Sequence, residues 1–131
     1  MAKKYFVIDG FSYSLSNTLV SCTVTFTGTP SNKIKANGTF VCLDEYSASI
    51  TNITVPSTGA TTPDPGPYTV NFSATSTKNK DLNQNKFILR VDDKTNLITA
   101  TPYIPGSPST PYPVTFYLYI SNAGQSKVLG E

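Results

Sequence analysis

Histidine and tryptophan are both missing from this chain, and cysteine occurs only twice. Without imidazole there is no Ser-His-Asp or Cys-His nucleophilic machinery and no zinc site built on histidine, and two thiols are too few for a thiolate zinc site. Charge is scarce as well. The 10 basic and 8 acidic residues make up 14% of the chain, and Lys3-Lys4 is the sole basic pair. Such a spread leaves no electrostatic footprint for nucleic acid or for an anionic membrane. No run approaches the ~20 apolar residues that span a bilayer. The opening Met-Ala-Lys-Lys-Tyr-Phe-Val-Ile-Asp lacks the apolar stretch and small-residue cleavage site of a signal peptide, so synthesis in a cytoplasm is expected. No Gly-rich phosphate loop or dinucleotide fingerprint occurs, and no cofactor is expected.

What fills the chain instead is Ser, Thr and Asn, about a third of all residues, with 10 Pro, 8 Gly and 8 Tyr. Thr and Tyr suit a pleated, half-wet surface, and Pro and Gly suit turns. Thr18-Leu-Val-Ser-Cys-Thr-Val-Thr-Phe-Thr27 puts Val20, Cys22, Val24 and Phe26 on one side and hydroxyls on the other. Only a strand, with its period of two, can bury one of those faces and wet the other. The same alternation recurs in Tyr68–Ala74 and Val114–Ile120. It predicts a single all-β antiparallel domain over 1–131, a sandwich, jelly roll or barrel of about eight strands with no helix of note. Short arms are expected at 1–4 and 122–131.

Further strands are expected at Lys4–Asp9, Phe11–Ser16, Ser49–Val55 and Phe87–Val91, the last forming a hairpin with Leu97–Thr101 across Asp92–Asn96. Two registers compete for Lys33–Asp44. A long hairpin sets Cys22 against Cys42 and Val24 against Phe40, leaving Asn37-Gly38 as a bulge. The rival uses Asn37-Gly38 as a two-residue primed turn and pairs Lys35 with Phe40 and Ile34 with Val41. Burial of the four apolar residues favours the long hairpin, and Val24→Asp is then expected to prevent folding. The cysteines are either buried small apolar residues in neighbouring strands or a cross-strand disulfide. Loops are expected at 56–67, Lys78–Lys86 and 102–113. The likeness of the stretches 61–68 and 109–114 is too short to make a repeat.

Asp44-Glu45 and Asp92-Asp93 are paired carboxylates, but neighbours in a strand point opposite ways and these read as solvated turns. A calcium site from Asp92, Asp93 and Asn96 lacks the spacing of a known motif. Asn37, Asn52 and Asn71 head glycosylation-like triplets that chance supplies in such a composition. Tyr117 and Tyr119 share the outward face of the last strand, and Tyr68, Tyr103 and Tyr112 sit in or beside proline-rich loops. Exposed tyrosines offer area for a partner protein or a stacking face for a glycan.

In its Met-Ala-Lys-Lys start, Thr/Ser/Asn-rich strands, long Pro/Gly loops, low charge and absence of catalytic residues, the chain resembles small all-β structural proteins of tailed bacteriophages, the capsid decoration or cement proteins above all. That resemblance implies a non-enzymatic virion protein made in a host cytoplasm. It implies binding to the major capsid protein lattice, commonly as a homotrimer, through multivalent contacts. The expected contact residues are Lys3, Lys4, Tyr5, Tyr68, Tyr103, Tyr112, Tyr117, Tyr119, Val128 and Leu129. The alternatives are a carbohydrate-binding module of a tail fibre or cell surface and, more remotely, a hydrolase using carboxylates alone.

Overall fold

The computed structural model describes residues 3–60 and 67–131. The chain is all-β and antiparallel, and its main sheet has six strands: β1 (Ser12–Leu15), β2 (Ser21–Phe26), β3 (Tyr46–Thr54), β4 (Tyr68–Ser73), β5 (Lys94–Thr95) and β6 (Leu118–Asn122). Their order across the sheet is β1-β6-β5-β4-β3-β2, so strands adjacent in sequence, β1 and β2, form its two edges. Six strands at ~4.8 Å spacing would hold those edges ~24 Å apart in a flat sheet. Yet the rings of Tyr13 on β1 and Phe26 on β2 meet edge to face at 5.5 Å. The sheet therefore curls into a half-barrel, and Phe11, Phe26, Tyr46 and Phe72 interlock inside it at centroid distances of 5.0 to 6.4 Å.

The alternation behaves as expected along β2, where Ser21, Thr23 and Thr25 are exposed and Cys22, Val24 and Phe26 half-buried. In β3, Asn52 takes a φ of 55° and shifts the register, so that Ser21 faces Thr54 but Thr23 faces Thr51. That bulge lets Ile50 and Ile53 both point inward although they are three residues apart.

Several expected pairings are replaced. Strand β2 pairs with β3, Val24 opposite Ile50, and not with residues 33–44. Lys35 instead faces Phe40 and Ala36 faces Thr39, closed by Asn37 and Gly38 with φ of 53° and 85°. Two successive positive φ values are what a primed turn requires, and Asn-Gly supplies them at least strain. Local turn chemistry thus outweighed the grouping of four apolar side chains. Cys22 and Cys42 are accordingly free thiols. The expected hairpin across Asp92–Asn96 does not form either: Lys94–Thr95 lies between β4 and β6, while Ile98–Ala100 pairs with Val114–Phe116. Lys78–Lys86 contains a hairpin, Lys80–Asp81 against Lys86–Phe87, where a polar loop was expected. Among the described residues eleven of the sixteen strands are only two or three residues long, too short for alternation to fix their bounds or partners. Of the loop expected at 56–67, Pro56–Thr58 forms one 3-10 turn and residues 61–66 lie outside the described residues.

A three-fold internal pattern organises the base of the half-barrel. Phe6-Val-Ile-Asp-Gly10, Val41-Cys-Leu-Asp-Glu45 and Ile88-Leu-Arg-Val-Asp92 occupy equivalent places, bridged cyclically as Ile8 to Val41, Leu43 to Ile88 and Arg90 to Phe6. Their central residues close a ring of backbone hydrogen bonds: Val7 N–H donates to Leu89, Leu89 to Cys42 and Cys42 to Val7, at 2.8 to 3.0 Å. Each segment then makes the same tight turn, with Gly10, Glu45 and Asp92 all at positive φ and the N–H groups of Phe11, Tyr46 and Asp93 each returning to the third residue before at 3.1 Å. Each is also preceded by a small antiparallel pairing. Two are the hairpins already described, and the third joins the two ends of the chain, Lys4 opposite Gly130 and Tyr5 opposite Leu129.

The stretch 122–131 is thus built into the fold instead of projecting as an arm. Gln125 is buried, donating to the carbonyls of Phe6 and Val128 and accepting from the N–H groups of Lys127 and Val128. Asp93 also departs from expectation. It is buried, and its carboxylate accepts from the Arg90 N–H, the Thr75 N–H and the Thr75 hydroxyl.

Candidate functional site

The ten expected contact residues separate into three places. Tyr68 and Tyr112 pack against the core. Tyr5 and Leu129 pair at the joined ends, with Lys4 at 3.4 Å from Asp92, Val128 packed on a small second core of Ile8, Ala36, Val41, Leu43 and Ile88, and Lys3 exposed. Tyr103 is exposed, and Tyr117 and Tyr119 are half-buried on the outward side of β6 and the residue before it.

The outward group follows from strand parity. Val114, Phe116, Leu118 and Ile120 are all buried, which forces Thr115, Tyr117 and Tyr119 to the other face. The Tyr117 and Tyr119 rings lie 6.3 Å apart. Lys94, cross-strand from Tyr119, places its ammonium 4.8 Å from the centroid of the Tyr117 ring, an exposed cation–π contact of ~0.5–1 kcal/mol. The ladder continues through Thr99 opposite Thr115 to Tyr103 opposite Pro111. Tyr103 and Leu97, 37% and 65% exposed, extend the same outward side. The six intervals from Pro111 to Tyr117 span ~20 Å at ~3.3 Å per residue, so the stripe is long and narrow. It contains one cation and no carboxylate.

A second feature had no signal in the sequence, because its parts come from three distant segments. Thr27, Gly28 and Thr29, then Leu43 to Ser47, then Gln84 and Lys86 enclose a cleft of about 250 Å³. Gly28 is required at its floor: a Cβ there would sit 2.6 Å from the Ser47 nitrogen and 2.7 Å from the Tyr46 ring. The positive φ of Glu45, 69°, brings Asp44 and Glu45 to one cleft, where an extended strand would have sent them apart. Glu45 pairs with Lys86 at 3.7 Å, and Asp92 with Lys4 is the equivalent pair in the three-fold pattern. Asp44 is fixed by the N–H groups of Ala74 and Glu45. A second cleft, also about 250 Å³, is lined by Tyr5, Val91, residues 121–123, Gln125 and Ser126.

The thiols offer no reactive group. Burial pushes Cys22 up, and burial with the nearby Asp9 charge pushes Cys42 up to about 12, away from the thiolate form. Among the described residues no three His, Cys, Asp or Glu side chains are grouped to hold a metal ion. No helix there is long and apolar enough to cross a membrane. Comparison of the chain with protein-family models, with curated proteins and with solved structures returns no match.

Proposed function

We propose that this protein is a non-enzymatic structural component of a virion, docked on a capsid lattice as a decoration or cement protein. The observation that carries the reading is the outward stripe of Tyr103, Tyr117 and Tyr119 with Leu97 and Lys94, set on a strand whose other face is wholly buried. Aromatic rings on a rigid frame give contact area at low entropic cost, which favours a protein partner of repeating form. The scarcity of surface charge fits a face that is covered in service. A homotrimer would multiply a weak contact into firm occupancy. Of the architectures expected, the sheet order and the ring contact between its edges support an open barrel over a sandwich or jelly roll.

Density-gradient-purified particles from a culture that produces this chain provide the test. Mass spectrometry is expected to count it at a copy number comparable to the coat protein. Tyr117→Ser with Tyr119→Ser is expected to lower that occupancy at least about tenfold, ~1.4 kcal/mol per site, with thermal stability retained. Complete absence from particles would refute the reading. The paired tyrosines also favour a second one, glycan stacking by a tail-fibre module. A few copies per particle, with binding to cell-surface glycan lost in the same variant, would select it.

A further inference from the structure

The geometry points to the cleft between residues 27–29, 44–47 and 84–86 as a binding site for a single neutral sugar residue. It lies beside β2 and β3, and none of its lining residues belongs to the tyrosine stripe. The site is therefore independent of the docking function proposed above. At ~30 Å³ per water in the liquid, 250 Å³ holds about eight waters, the room of one pyranose ring and not of two.

Its lining offers what a polyol needs and little else. Thr27, Thr29, the amide of Gln84, the carboxylates of Asp44 and Glu45 and the ammonium of Lys86 line a mouth with both donors and acceptors, and Ser47, whose hydroxyl donates to Asn71 Oδ1 at 2.6 Å, adds an acceptor. Carboxylates accept from sugar hydroxyls while amide and ammonium groups donate to their oxygens, a pairing suited to neighbouring hydroxyls on one ring. Two carboxylates against one ammonium leave the lining at a formal −1, which favours a neutral ligand over an anionic one.

The walls are held before any ligand arrives, and the three-fold pattern shows how. In the equivalent hairpin the two-residue turn Asn37-Gly38 joins the strands, whereas here the turn has four residues, Leu82 to Asn85. The longer turn supplies Gln84 to the cleft. Buried Asp81 organises it, accepting from the Asn83 and Gln84 N–H groups at 2.9 and 3.2 Å and from the Ser31 hydroxyl at 2.6 Å. Gln84 Oε1 in turn accepts from the Asn32 N–H at 3.1 Å, which leaves its Nε2 as the donor to a ligand. Preorganised polar groups of this kind lose little on binding, so a small ligand is held in spite of few contacts.

The test is a ¹H–¹⁵N NMR titration of the full chain with the methyl α-pyranosides of glucose, galactose and mannose and with N-acetylglucosamine. At least one is expected to shift the amides of Gly28, Thr29, Glu45 and Gln84 saturably, with Kd of about 1–10 mM. Glu45→Gly removes the carboxylate at a φ that glycine adopts freely, and Gln84→Ala removes the amide. Each is expected to weaken binding at least about fivefold with the melting temperature held. Absence of shifts at those amides with all four sugars overturns the inference. So does saturable binding that both variants leave unchanged, and so do shifts confined to Tyr117 and Tyr119.

Discussion

Cys42 and Tyr46 stand next to one another on the inner side of the cyclic base, and both resist ionisation. Burial raises each to about 12, with the Asp9 charge adding to Cys42 and the Cys42 and Asp9 charges adding to Tyr46. In the unfolded chain these groups lose their protons near 9 and 10, so above pH 9 the unfolded state binds fewer protons than the folded one. Stability is then full below pH 9 and falls as pH rises towards 12, by on the order of 4 kcal/mol for Cys42 alone. Urea midpoints measured from pH 8 to 11.5 are expected to decline in that window, and Cys42→Ala is expected to flatten the decline. A flat wild-type profile would mean that these groups are wetter than their surroundings imply. The free thiol was one of two states that the sequence left open. What decided it was the partner of β2, a contact between distant segments that spacing does not encode.

At the scale of elements, the alternation of Val20 to Phe26 told which side chains turn inward but not how deeply they go. Strand β2 is an edge, and Val24 is only half-buried, whereas its cross-strand neighbour Ile50 is fully buried. The expectation that Val24→Asp prevents folding is thereby revised: the carboxylate can turn to water at the edge, at a cost of ~1–2 kcal/mol, while Ile50→Asp buries a lone charge and should exceed the ~5–15 kcal/mol that holds a domain together. Circular dichroism and urea melts of the two variants check this, and equal losses would show that β2 is covered. The outward placement of Tyr117 and Tyr119 was legible for the same reason that β2 was, a clean period of two beside four apolar neighbours. The cleft was not, since Gly28, Glu45 and Gln84 meet only through the fold. Nor was the three-fold pattern. It rests on three apolar stretches whose polar residues differ, with Asp at the fourth place in two of them and Val91 in the third.

Over the whole molecule, the meander β2 to β6 returns β1 to the far edge, and the joined ends complete the last of the three base pairings. The closing segment does more than end the chain. The Phe6 ring lies so near Gly130 that a Cβ there would fall 2.3 Å or less from it. Buried Arg90 donates to the Gly130 carbonyl at 3.3 Å and to the Thr75 hydroxyl at 3.4 Å, and that hydroxyl donates to Asp93. The Ser76 hydroxyl and the Asn79 amide donate to the Glu131 carbonyl. Removing residues 127–131 would strip Arg90 of a partner, open the second core beside Val128 and take from Lys4 and Tyr5 the strand that faces them. The expected loss is ~3–5 kcal/mol, the range for breaking a buried charged network. Restoring Arg90 to neutrality in the truncated chain as Arg90→Met should recover part of that loss, because an apolar side chain needs no acceptor. An arm that merely rests on a partner predicts the opposite: truncation would leave the urea midpoint unchanged and lower only the occupancy of the particle. The two measurements made side by side on the truncated chain separate a folding role for this segment from a docking one.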